Sequence, residues 1–312
     1  MATRKAIKVC LDATHDGLPG LMPGSADLTG NTGMALAGAL AQSVEDPGGS
    51  LVHYGIREHA MGAVMTGMAD HGGTLPVGGT FFVFSDYMRG AVRVAALSGA
   101  HVVYSWTHDS IGLGQDGPTH QPVEQLAAIR AMPGLRVIRP ADANETAQAW
   151  RIAVERDGPT ALVLSRQDLP VLESTADLAP EGVRRGAYVL VDPGDGPAQV
   201  ILLATGSEVP LCVDAARLLA EAGTRTRIVS LPSWELFAEQ GDGYRAEVLT
   251  PGVPVLSVEA ATTFGWERYA DDSLGIDHFG ASAPGEVVMR EFGFDPVHVA
   301  ARATALLERT RR

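Results

Sequence analysis

From Ser50 onward, short β-branched runs alternate with helical patterns. Such alternation predicts a parallel sheet covered by helices, because each parallel strand must be reached by a crossover segment. Leu51 to Gly55 reads as a strand. Glu58 to Asp70 follows as a helix, with Met61, Val64, Met65 and Met68 at helical spacing and Gly72-Gly73 to end it. Thr74 to Thr80 is the next expected strand, then a helix from about Phe84 to Leu97 and a strand from His101 to Trp106. Leu135 to Arg139 and Ala161 to Ser165 read as further strands, separated by a helix that Asp142 and Glu145 would open as a capping pair. Between Pro170 and Gly186 the periodicity stops, which predicts an interdomain linker over 173–185. Beyond it, Gln199 to Ala204, Thr226 to Ser230 and Val255 to Val258 read as strands, and Val209 to Glu221 as a helix stopped by Gly223. The expected fold class is α/β in two domains, 1–172 and 186–312, which suits 312 residues at roughly 150 per domain.

A hydrophobic content of 46% with 20% charged residues fits a folded globular enzyme rather than a disordered chain. The net charge of −13 leaves no basic stripe for a phosphate backbone and argues against nucleic acid as a partner. The longest apolar runs, such as Val200 to Ala204, are far short of a membrane span, and the amino terminus has no signal-like apolar region. No membrane association is expected, and the expected location is the cytoplasm. Cys10 and Cys212 lie in apolar contexts with no second cysteine nearby, so both read as buried structural thiols rather than a zinc or redox pair.

Chemistry concentrates in the segment from Thr107 to Pro122 (THDSIGLGQDGPTHQP), at the carboxyl end of an expected strand, where open α/β sheets bind their ligands. Gly112, Gly114 and Gly117 trace the outline of a dinucleotide fingerprint. The fit is poor, since Asp116 would point a carboxylate at a pyrophosphate and Pro118 removes an amide where a helix start should donate one. A loop that merely turns does not explain why His108, Asp116 and His120 flank the glycines. Glu58 stands where a strand meets a helix. There it could serve chemistry or simply complement the helix dipole, a role any acid fills for about 0.3–1 kcal/mol. Phe81, Phe82, Phe84 and Tyr87 read as core on periodicity alone. His108 and Arg166 both fall at carboxyl ends of strands and, with Arg4, form a convergence that suits a phosphate group.

These stretches together resemble transketolase. The similarity rests on Pro23 to Leu28 (PGSADL), Tyr54 to Gly62 (YGIREHAMG), Gly78 to Phe81 (GGTF), Thr107 to Pro122, Arg139 to Asp142 (RPAD), Leu164 to Gln167 (LSRQ) and Ala204 to Glu208 (ATGSE). It spans nearly the whole chain but covers the family's pyrimidine-binding and C-terminal domains alone. The resemblance implies thiamine diphosphate as cofactor. It implies that Glu58 hydrogen-bonds the aminopyrimidine ring, where a protonated carboxyl favours the imino tautomer that deprotonates the thiazolium. Ile56, Phe81, Phe84 and Tyr87 would pack around that ring, which overturns the core reading of the aromatics. Arg4, Ser25, His108 and Arg166 match a sugar-phosphate clamp, while Asp116 and His120 match residues that address substrate hydroxyls. The catalytic set implied is Glu58, His120, His108 and Asp116. Against the family the segment from Arg4 to Ser25 looks shortened, which bears on the placement of Ser25 and of the acceptor-channel rim.

The family's diphosphate-binding domain, with its metal-ligating Gly-Asp-Gly motif, is not matched by any stretch of this sequence. Gly194-Asp195-Gly196 sits near the expected linker and reads as a turn. No metal ligand is therefore expected here, and Mg2+ or Ca2+ would be held by a partner. Family sites are shared between subunits, which implies one subunit of a split transketolase, in a heterotetramer of two copies each with a diphosphate-binding partner. The start at Met1 and the helical pattern ending in Arg311-Arg312 fit that expectation. The reaction implied is transfer of a two-carbon ketol unit from a ketose phosphate to an aldose. A β subunit of a 2-oxoacid dehydrogenase shares the two-domain plan, but the sugar-phosphate residues speak against it. A non-catalytic assembly protein is the other alternative, opposed by the intact Glu58, His108, Asp116 and His120.

Overall fold

Two β-sheets, each flanked by helices, realise the alternation in the computed structural model, which describes residues 1–310. The first unit runs α1 (Thr3–Thr14), β1 (Leu21–Ser25), β2 (Val52–His53), α2 (Glu58–His71), β3 (Leu75–Phe81), α3 (Ser85–Ser98), β4 (Val103–Thr107), α4 (Gln125–Arg130), β5 (Arg136–Ile138), α5 (Ala143–Glu155) and β6 (Thr160–Leu164). Its six strands are all parallel, in the order β2-β1-β3-β4-β6-β5. All carboxyl ends therefore lie along one edge. Each expected strand after Ser50 is present, within two residues of its expected bounds.

β1 is an addition, in a segment upstream of Ser50 for which no strand was expected. The strand tolerates Pro23 because its neighbour β2 pairs only from Gly24 onward, leaving that edge of β1 free upstream. The expected linker over 173–185 is instead mostly a helix, α6 (Thr175–Arg185), containing Pro180. It packs on α5. Ala179 and Val183 are buried in a cluster with Ile152, Ala153 and Leu236. Burial of that apolar stripe outweighs the one backbone hydrogen bond that Pro180 removes.

The second unit adds β7 (Tyr188–Val191), β8 (Val200–Ala204), α7 (Glu208–Glu221), β9 (Thr226–Ser230), α8 (Trp234–Ala238), α9 (Asp242–Val248), β10 (Val255–Val258), β11 (Asp272–Leu274), α10 (Gly285–Glu291) and α11 (Pro296–Thr310). Its strands run β11-β10-β8-β9-β7, parallel except for the edge strand β7. Gly194 and Asp195 form the expected turn, between β7 and β8. Cys212 is buried as expected, but Cys10 is only partly so, lying beside a surface hollow lined also by Leu18 and Trp150. No helix among the described residues is long and apolar enough to cross a membrane. Arg311-Arg312 lie outside the described residues.

Candidate active site

The carboxyl edge of the first sheet gathers most of the expected site. β3 ends at Phe81, β4 at Thr107 just before His108, and β6 at Leu164 two residues before Arg166. Arg4 reaches the same edge because the start of α1 docks on the end of β6. Thr3 N donates to Ser165 Oγ at 3.1 Å, Ser165 N donates to Thr3 Oγ1 at 2.7 Å, and Arg4 N donates to Ser165 O at 3.3 Å.

A short helical turn over Phe82–Phe84 sorts the aromatics. Phe82 turns inward, fully buried against Trp106, as the core reading required. Phe81 and Phe84 face the site, stacked with centroids 5.7 Å apart. The His108 ring lies 3.7 Å from that of Phe81, and the His120 ring meets Phe84 edge-on at 5.5 Å. Tyr87 extends the row at 5.8 Å from Phe84. Phe84 and Tyr87 wall an open hollow of about 700 Å3 together with Ile56, Arg57, Glu58, His59 and Ala60. Glu58 is 8% exposed at the first turn of α2, and its carboxylate accepts one long contact, from Thr80 Oγ1 at 3.4 Å. Ile56 and Tyr87, by contrast, are 79% and 69% exposed. A carboxylate at the mouth of an aromatic-walled hollow fits a flat heteroaromatic ring bearing hydrogen-bonding nitrogens.

His108 is buried, and its Nδ1 is 2.8 Å from Thr107 Oγ1. Burial first, then the nearby charges of Arg4, Arg166 and His120, pushes its pKa down to about 3. The ring is therefore neutral at physiological pH. In the tautomer in which Thr107 Oγ1 donates to Nδ1, the ring proton is on Nε2 and available to an anion between the two arginines. Arg4 has lost some of its ordinary affinity for its proton through burial and then through Arg166, two cations in want of a shared anion. Its Nη1 donates to Asn31 O at 3.1 Å.

Ser25 does not join this group. It is fully buried, and its hydroxyl is used by the backbone, donating to Gly79 O at 2.8 Å and accepting from Leu28 N at 3.0 Å. The residue that meets Arg4 from that segment is Asn31, which with Arg4, Lys5, Lys8, Gly30 and Gly33 lines a hollow of about 190 Å3. Nothing in the sequence around Asn31 distinguished it from an ordinary turn. Asp116 is exposed on the loop, and no hydrogen bond ties it to the aromatic and histidine group among the described residues. No group of three or more His, Cys, Asp or Glu side chains among those residues is arranged to hold a metal ion.

Sequence comparison identifies residues 1–171 with the family described as "Transketolase, pyrimidine binding domain", and residues 186–295 with the "Transketolase-like TK C-terminal domain". A transketolase of Halalkalibacterium halodurans is 52% identical over 313 residues, which cover 99% of this chain and 47% of that protein. The chain thus spans about half the length of the curated relatives it matches. Among solved structures, a Pichia stipitis transketolase in complex with sedoheptulose 7-phosphate is 42% identical with a TM-score of 0.96, over 100% of this chain and 46% of that one. A structure titled as an inactive beta4 tetramer of a split-gene transketolase shares the fold over 99% of both chains, at 24% identity and a TM-score of 0.81.

Proposed function

Because the chain belongs to the transketolase family, we propose that it is one subunit of a split transketolase and supplies the pyrimidine-binding half of each active site. The observation that carries the proposal is a one-sided site, in which a nearly buried Glu58 stands beside Ile56 and Tyr87, left 79% and 69% exposed. A second chain, carrying the diphosphate-binding domain, would close the hollow. The split-gene structure shares the fold over nearly its whole length.

In the assembled enzyme, thiamine diphosphate supplies the nucleophilic carbon that accepts the ketol unit, with Mg2+ or Ca2+ held by the partner. Glu58 would hold a proton at a ring nitrogen of the aminopyrimidine, and Phe81, Phe84, Tyr87 and Ile56 would pack around that ring. Arg4, Arg166 and neutral His108 bind the sugar phosphate through two cations and one hydrogen-bond donor. His120, edge-on to Phe84 and Phe81, would donate to or accept from a substrate oxygen, and Asp116 would address a substrate hydroxyl from the loop. The sugar phosphate bound by the Pichia stipitis relative supports a phosphorylated substrate class.

The assay is transfer from xylulose 5-phosphate to ribose 5-phosphate in a mixture with a diphosphate-domain chain, thiamine diphosphate and magnesium. Ketol transfer without turnover of pyruvate is expected. Turnover of pyruvate in its place would instead make the chain a 2-oxoacid dehydrogenase subunit.

A further inference from the structure

His108 holds a positive φ of 64°, an unfavourable backbone conformation for a histidine that the surroundings must sustain. On its amino-terminal side the sheet does this, since Thr107 pairs with Phe81 and Leu164. On its carboxyl-terminal side the hold comes largely through the second domain. Asp109 Oδ2 accepts from Arg139 Nε at 3.0 Å and Nη2 at 2.8 Å. Arg139 is fully buried, and its remaining donors reach the β8–α7 turn. Nη1 donates to Thr205 O at 3.1 Å, to Thr205 Oγ1 at 2.9 Å and to Glu208 Oε2, and Nη2 donates to Ser207 Oγ at 3.2 Å. Burial works against its charge, but Glu208, Asp109 and Glu259 outweigh it and keep the guanidinium firmly protonated.

The far end of the loop is held in the same way. Gln121 Nε2 donates to Ile111 O at 3.3 Å and Gly114 O at 3.1 Å within the loop, and to Ala281 O of the second domain at 3.0 Å. Ser282 Oγ donates to Gln115 O at 2.8 Å. A Cβ on Gly285 would stand 2.3 Å from Gly112 O, so the start of α10 presses directly on the loop backbone.

We propose that Arg139 and Gln121 are positioning residues, through which the C-terminal domain serves as the template that holds the His108 to His120 loop in its ligand-facing shape. The two motifs at Arg139 to Asp142 and Ala204 to Glu208 are then two halves of one clamp. The roles of His108 and His120 rest on the function proposed above, whereas the ordering of the loop does not.

The test is backbone hydrogen exchange on the full chain, comparing wild type with Gln121→Met, Gly285→Ala and Arg139→Lys, alongside the affinity for inorganic phosphate. Exchange over residues 110–121 should rise about tenfold or more in each folded variant, with less than about twofold change in β3 and β8. Phosphate affinity should fall together with loop order, because His108 leaves its place between the arginines. Arg139→Lys keeps the charge but not the fork geometry, and should fall between wild type and a full loss. If it does not fold, the two milder variants decide. Unchanged exchange across 110–121 in folded Gln121→Met and Gly285→Ala would overturn the proposal, as would an equal rise throughout the chain. Loss of loop order in a chain that transfers no ketol units even when mixed with a diphosphate-domain chain would leave the template standing and refute the assigned function.

Discussion

At the scale of single residues, Glu58 and His108 have contrasting environments that separate their expected effects. Glu58 lies at the wall of the hollow with one long protein contact, so its remaining hydrogen-bonding capacity is free for a ligand. Glu58→Gln keeps the shape and removes the acid. In the reconstituted enzyme, turnover should fall by about a hundredfold or more while the melting temperature is unchanged, since one positioned proton-transfer group contributes on that order. Near-normal turnover would remove Glu58 from the chemistry. His108, neutral with a pKa of about 3, would bind a phosphate by donating a hydrogen bond rather than by charge. His108→Ala should therefore raise KM for phosphorylated sugars more than for unphosphorylated ones. In wild type, no inflection in that KM between pH 7 and 9 should trace to His108, since its depressed pKa lies well below that window. An equal rise for both sugars would take His108 out of the phosphate clamp. The sequence made both residues visible, because each stands in a dense motif of polar and glycine residues at a strand end. It misplaced Ser25, since nothing in Pro23 to Leu28 tells that the hydroxyl is spent on Gly79 O and Leu28 N.

At the scale of elements, α5 shows both what patterning reveals and where it stops. Its start was legible, for Asp142 accepts from Glu145 N at 2.9 Å as a capping pair should. The return contact differs. Glu145 Oε2 accepts from Ala141 N at 2.7 Å, while Oε1 accepts from Tyr188 O–H at 2.7 Å and Ser230 O–H at 2.6 Å in the second sheet. Contacts between residues so far apart in sequence leave no periodic trace. Burial raises the Glu145 pKa to about 7 despite these donors, from an ordinary value of 4.5. The folded chain therefore binds a proton more tightly than the unfolded chain, so this stabilising contribution is complete below about pH 4.5 and is lost as pH rises through about 7. The amount is on the order of 3 kcal/mol. Glu145→Gln should remove that slope, so that denaturant unfolding of the variant gains on wild type between pH 5 and 8. Parallel stability curves for the two proteins over that range would contradict the assignment. The same principle explains α1, whose docking on β6 through Thr3 and Ser165 brings Arg4 to the site although no periodicity announced it.

At the scale of the whole molecule, the units meet through charge as well as apolar surface. Arg139 with Asp109 and Glu208, and Arg130 paired with Glu259 through two bonds of 2.7 and 2.8 Å, are buried where the two sheets' loops converge. Such a cluster tolerates little displacement, because separating either partner leaves a charge without water, at about 3–5 kcal/mol. The two-sheet architecture was legible because strands such as β8 and β9 are short runs rich in β-branched residues, unlike β1 with its Pro23 and Gly24. The clamp was not, since its members belong to elements more than 60 residues apart in sequence, as the separation of Arg139 from Thr205 and Glu208 shows. What the clamp steadies is one wall of a site, with Ile56 and Tyr87 open to solvent on the other side. A second chain, we propose, completes that wall. The decisive experiment titrates this chain with a diphosphate-domain subunit and follows ketol transfer against the mixing ratio. No transfer by either chain alone is expected, and a rate that saturates at one copy of each. Full activity from this chain by itself, or none at any ratio despite a stable complex, would contradict the proposal.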